Sequence, residues 1–131
     1  MLVWTEQFAT GSALIDTQHR MLIDKINLLE KLLAEPAPSR AVCDELLSFL
    51  GSYVATHFKF EEGCMLKARC PAHDKNKQAH AAFLDLFAKF KVKYQAEGAK
   101  PELLRNLHAV AADWIKSHIL AVDIQLKACA K

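Results

Sequence analysis

Only three short stretches break the helical periodicity of this chain. They are "EPAPS" (35–39), "ARCPAH" (68–73) and "EGAKPE" (97–102). Proline lacks a backbone N–H and clashes with the preceding turn, so Pro36, Pro38 and Pro71 cannot sit inside a helix. Ser39 is placed to cap a helix that starts after it, Gly98 to stop one, and Pro101 to open the next. Four segments remain, and in each the apolar residues recur at i, i+3, i+4 and i+7. The first carries Ile15, His19, Leu22, Ile23, Ile26 and Leu29; the second carries Leu46, Leu50, Val54, His57, Glu61 and Met65. The third carries His80, Phe83, Phe87 and either Phe90 or Lys91, with Leu84 beside them; the fourth carries Leu104, Leu107, Ala111, Ile115, His118 and Val122. Amphipathic helices joined by short connections pack as antiparallel neighbours. The expected fold is therefore all-α, an up-down-up-down four-helix bundle. The first dozen residues, with Trp4 and Phe8, are expected to form an apolar N-terminal arm over it.

Composition narrows the function classes. A chain of 131 residues with 52% hydrophobic side chains reads as a single domain, 1–131, with a sizeable core. The formal charge is only +2, with acids and bases interspersed, which is no footprint for nucleic acid. No stretch approaches the roughly 20 apolar residues of a membrane span, and the start "MLVWTEQFATG" lacks a basic leader. The expected location is the cytoplasm, and the expected state a monomer. The cysteines Cys43, Cys64, Cys70 and Cys129 match no zinc spacing and are expected to be free thiols. Cys64 and Cys70 are close enough in sequence to raise redox chemistry.

Histidines occupy places where the core should be. His19, His57, His80 and His118 each lie on the apolar stripe of a different segment. A lone histidine there is ordinarily satisfied by an internal hydrogen bond. Four of them would each need a partner in a dry core, at a few kcal/mol when unpaired. Glu61 stacks one turn from His57 on the same face, and a buried carboxylate also demands a cation. Glu62 is turned about 100° away and is expected to face solvent. Imidazole with carboxylate suits iron or zinc, and so many donors exceed one structural zinc site. The Glu-x-x-His pairs of ferritin-like di-iron bundles are absent.

Four motifs in order resemble the single-domain bacterial hemerythrins over nearly the whole chain. They are Asp-x-Gln-His at Asp16 to His19, His-x-x-x-Glu in "HFKFEEGCM", "HAAF" after Pro71, and His-x-x-x-x-Asp in "WIKSHILAVD". The resemblance implies a non-haem centre of two iron ions with an oxo or hydroxo bridge. His19 and His57 would bind one iron, His80 and His118 the other, with Glu61 and Asp123 bridging. Ile115 would line an O2 pocket, while Phe58 and Trp114 read as packing. Asp123 sits five residues beyond His118, about 140° around an ideal helix, so a local widening of the helix is expected there.

One position departs from the family pattern. The third helix is expected to supply His-x-x-x-His, yet four residues before His80 stands Asn76. Asn76 is therefore a possible altered ligand position, with His73 the less favoured replacement, although a neutral amide oxygen is a poor substitute for imidazole. His73 shares the face but lies about 10.5 Å from His80 along a helix axis, and is expected at the surface or in a loop. If Asn76 does not bind, the iron on that side gains an open or water-filled position and a more labile, more reactive centre. His108, about 80° off the fourth stripe, is expected at a helix boundary or the surface. The implied function is non-enzymatic O2 binding for transport, storage or sensing, with azide and nitric oxide as other small ligands. The alternatives are a di-iron oxidase or peroxidase, and a module binding nitric oxide or iron.

Overall fold

Four long helices form where the periodic segments predict them. The structure is a computed structural model, describing residues 2–36 and 39–129; Pro38 of the first break lies outside the described residues. The helices are α1 (Ala13–Leu33), α2 (Arg40–Lys67), α3 (His73–Glu97) and α4 (Pro101–Ala121). A final short helix, α5 (Leu126–Cys129), follows a 3-10 turn at Asp123–Gln125. No strand occurs among the described residues. Helix α1 packs on α2 and α4, α2 on α3, and α3 on α4, giving the four-helix bundle.

The punctuation residues do what their chemistry requires. Ser12 Oγ accepts from Ile15 N and Ser39 Oγ from Val42 N, each covering an N–H left free in a first turn. Gly98 ends α3 at φ 84, a conformation that costs glycine little, and Pro101 opens α4. Gly51 has a packing role instead. A Cβ there would meet Phe87 Cε1 at 3.0 Å, so the missing side chain lets α2 approach α3.

The N-terminal arm is also observed. Phe8 is buried, and Trp4 lies against the same core with the Arg20 guanidinium 4.0 Å over its ring. Asn27 ties the arm down by accepting from Leu2 N at 3.1 Å and donating to Leu2 O at 2.8 Å.

Two apolar clusters bracket one end of the bundle. The larger fills the body with Leu22, Ile26, Leu50, Val54, Phe83, Phe87, Leu107 and their neighbours; Phe90, not Lys91, completes the third stripe. The smaller, Ile15, Met65, Cys70, Ala72, Val122 and Leu126, plugs the end. Because neighbouring helices run antiparallel, the starts of α1 and α3 meet the ends of α2 and α4 there. His19, His57, Glu61, His80 and His118 all fall within that level of the bundle.

The cysteine expectation needs correction. Cys70 and Cys129 are joined in a disulfide, closing a sequence separation of 59 residues. The turn after α4 folds α5 back onto the α2–α3 connection and brings the two Cα atoms to 5.3 Å, within the span a disulfide bridges. Cys43 and Cys64 remain free thiols. No described helix is long and apolar enough to cross a membrane.

Candidate metal centre

Six buried side chains converge between the two apolar clusters, in two groups that share one residue. His19, His57 and Glu61 form one group; Glu61, His80, His118 and Asp123 form the other. Glu61 lies between them. Its Oε2 is 3.0 Å from His19 Nε2 and 3.4 Å from His57 Nε2, while its Oε1 is 3.2 Å from His80 Nε2. Asp123 divides itself the same way, with Oδ2 3.3 Å from His19 Nε2 and Oδ1 3.1 Å from His118 Nε2. Each carboxylate therefore offers one oxygen to each half.

Local sequence explains how the donors are aimed. Asp16 Oδ1 accepts from both Thr10 N and Thr10 Oγ1 at 2.9 Å, fixing the entry to α1. Gln18 Oε1 is 2.6 Å from His57 Nδ1, and Glu62 Oε2 is 2.9 Å from His80 Nδ1. An acceptor on Nδ1 holds the proton there and turns the Nε2 lone pair inward. Phe58 stacks on His80 with ring centres 3.8 Å apart, and Trp114 on His118 at 4.4 Å. The packing role expected for these two aromatic residues is thus a specific one: they clamp imidazole planes.

This donor set fits cations better than it fits itself. With His57 and His80 protonated on Nδ1, their Nε2 lone pairs face carboxylate oxygens, acceptor against acceptor. His118 Nε2 has Asn76 Oδ1 at 2.7 Å, His80 Nε2 at 3.1 Å and Asp123 Oδ1 at 3.1 Å, but can donate only one proton. Asp123 Oδ1 is buried without a hydrogen-bond partner. Donors held about 2.1 Å from one ion and at right angles lie about 3.0 Å apart, the spacing seen here. Protons are the substitute. Burial opposes charge on His19, but the carboxylates of Asp123 and Glu61 override it and push its pKa up to about 9. Burial would likewise raise Glu61, yet the imidazoles of His19, His57 and His80 hold it well below the usual carboxylate range.

Asp123 reaches the centre by a different route from the one expected. The helix does not widen; it ends. Helix α4 stops at Ala121, Val122 departs to φ −116 and ψ −56, and Asp123 opens a tighter 3-10 turn. Breaking the 100° step swings Asp123 inward where a continuous helix would carry it away. Val122 N still bonds His118 O at 2.8 Å, and Gln125 Nε2 covers Ala121 O at 2.7 Å, so the break leaves those groups paired.

Asn76 lies fully buried inside the second group. Its Nδ2 donates to Glu61 Oε1 at 3.0 Å and lies 3.3 Å from Met65 Sδ, while Oδ1 faces His118 Nε2. His73 stays at the start of α3, paired with Asp74 at 3.1 Å and outside both groups. His108 is half-buried and apart. Ile115 lines a small cavity beside His19, His57 and His118, with Leu22, Val54 and Ile119 completing its apolar wall.

Two residues escaped sequence reasoning. Glu62, expected in solvent, is only 20% exposed and holds His80, because α2 turns that flank toward α3. Gln18 stands in the Asp-x-Gln-His motif with no role assigned to it from sequence, yet it crosses to His57 on α2. In both cases the available signal was a polar residue adjacent in sequence to a predicted ligand.

Comparisons with known proteins converge on one family. The hemerythrin HHE cation binding domain matches residues 10–129. A bacteriohemerythrin of Stenotrophomonas maltophilia is 29% identical over 123 residues, covering 94% of this chain and 77% of the relative. One of Pseudomonas paraeruginosa is 30% identical over 118 residues, covering 90% and 74%. A crystal structure of wild-type hemerythrin superposes with a TM-score of 0.84 at 28% identity, covering 98% of this chain and 97% of its own.

Proposed function

This chain belongs to the hemerythrin HHE cation-binding family, and on that premise we propose that its six converging side chains hold two iron ions and bind dioxygen reversibly. His19 and His57 would hold one ion, His80 and His118 the other, and Glu61 and Asp123 would contribute to both. The observation that carries this reading is the division of the two carboxylates, each giving one oxygen to either half. Two ferrous ions held there would supply the electrons for reversible dioxygen binding.

The rest of the site positions donors and excludes water. Gln18 and Glu62 fix the tautomers of His57 and His80. Phe58 and Trp114 hold the rings of His80 and His118 in plane. Leu22, Val54, Ile115 and Ile119 give the cavity beside His19 and His57 an apolar wall, suited to a small diatomic and hostile to solvent. The acids and bases lining that cavity among the described residues, His19, His57, His118 and Asp123, are all proposed metal ligands, so none is left over as a separate proton donor or acceptor. This favours a binder over an enzyme, for carriage, storage or sensing.

The test begins with a metal count on the purified protein and anomalous diffraction at the iron edge. Two irons bounded by the six named side chains are expected. The reduced protein is then exposed to air and flushed with argon. A visible band that appears with air and vanishes under argon supports reversible binding. Rapid irreversible oxidation with turnover of peroxide supports the oxidase or peroxidase reading, which a position left open at Asn76 would favour. Absence of bound iron would overturn both.

A further inference from the structure

The two halves of the centre do not carry the same donors. The His19–His57 half has two imidazoles and one oxygen from each bridging carboxylate. The His80–His118 half has the same complement plus Asn76, whose amide is buried in contact with both Glu61 and His118. The direction of that amide is settled by chemistry. Glu61 is an acceptor, so Nδ2 must face it, which leaves Oδ1 turned toward His118 Nε2 at 2.7 Å. That is close enough for both atoms to face one ion, a little shorter than the 3.1 Å from His118 to His80 and to Asp123. The second hydrogen of Nδ2 points to Met65 Sδ at 3.3 Å, a weak acceptor that leaves the amide no better orientation.

Resting on the reading of this cluster as a two-ion centre, we propose that Asn76 Oδ1 is a fifth donor to the His80–His118 half. It makes that half an oxygen-rich site that accepts manganese(II), while the His19–His57 half retains iron. Carbonyl and carboxylate oxygens suit manganese, whereas a higher share of imidazole favours iron. Three oxygens to two nitrogens on one side, against two to two on the other, separates the halves in that direction. Ferrous iron binds more tightly than manganese(II) at any such site. The difference therefore shows when iron is limiting and must choose a half.

The metal-free full-length chain is loaded anaerobically with one equivalent of ferrous iron and an excess of manganese(II), then desalted. Elemental analysis gives the stoichiometry, and anomalous diffraction at the manganese and iron edges places each metal. One iron at His19–His57 and one manganese at His80–His118 is the expected result. Asn76→Asp keeps an oxygen donor of the same shape and retains the manganese. Asn76→His replaces oxygen by nitrogen and loses manganese from that half to iron. Random distribution of the metals, or the same placement in Asn76→His, overturns the proposal and leaves the two-iron reading standing. Failure of the chain to bind either metal overturns both.

Discussion

Removing the Glu62 carboxylate should weaken metal retention far more than it weakens the fold. Glu62 Oε2 accepts from His80 Nδ1 at 2.9 Å, and the side chain is one-fifth exposed. In the metal-free protein the loss in Glu62→Ala is one partly solvated hydrogen bond, about 1 kcal/mol. With an ion on Nε2 the ring is more acidic at Nδ1, and the carboxylate both fixes the ring and raises its basicity. Loss of such an outer partner weakens metal affinity by about 10- to 100-fold, roughly 1.4–2.8 kcal/mol. Glu62→Gln keeps an acceptor and loses the charge, so its effect should fall between those of the parent and Glu62→Ala. Gln18→Ala should act in the same direction on the opposite half, through His57, but less strongly because the amide carries no charge. The assay is competition for iron with a soluble chelator, run beside thermal unfolding of each metal-free variant. Glu45→Ala, exposed on the same helix, serves as the control. Iron retention by Glu62→Ala within about twofold of the parent would refute the assignment of Glu62 as the group that orients His80.

Other outcomes follow from the same geometry. In the metal-free chain, the paired, charged His19 adds stability in full below its ordinary value of 6.5, and this is lost as pH rises through about 9. Thermal midpoints should fall across that window, His19→Gln should flatten the fall, and metal loading near pH 8 should release a proton because a ligating imidazole must be neutral. Cys129→Ser opens a disulfide that spans 59 residues, worth about 4 kcal/mol on the chain-entropy account. It should lower the thermal midpoint and speed iron loss, since Asp123 lies on the segment that this link holds down; a variant midpoint equal to the parent's under non-reducing conditions would contradict this. Phe58→Ala empties a buried site against His80, Phe83 and Trp114. It should cost about 3–5 kcal/mol, read as a lower denaturant midpoint, with Phe58→Leu losing less.

Much of the fold could be read from the sequence because helical periodicity is local. The three proline- and glycine-marked breaks, the caps at Ser39, Gly98 and Pro101, and the four stripes reappear as α1 to α4. The histidines at 19, 57, 80 and 118, with Glu61, were visible by the same logic, since a polar group on a buried stripe is placed by the stripe itself. Asn76 was legible through its spacing from His80 as a possible altered ligand position, but the partners that hold its amide were not. Only the packed bundle shows its amide held between Glu61 and His118.

What sequence alone determined is the set of elements and the faces they bury, because 3.6-residue periodicity and turn chemistry depend on neighbours along the chain. Tertiary structure decided everything that depends on one helix meeting another. Glu62 is an outer partner of His80 because α3 covers its flank of α2, and Gln18 reaches His57 because α1 and α2 are neighbours. Cys70 pairs with Cys129 because the chain doubles back after α4. Asp123 is the clearest case: its angle on an ideal helix is wrong, and it enters the site because α4 ends at Ala121 and a tighter turn begins. Periodicity predicts where a side chain points while the helix continues, and packing decides where the helix stops.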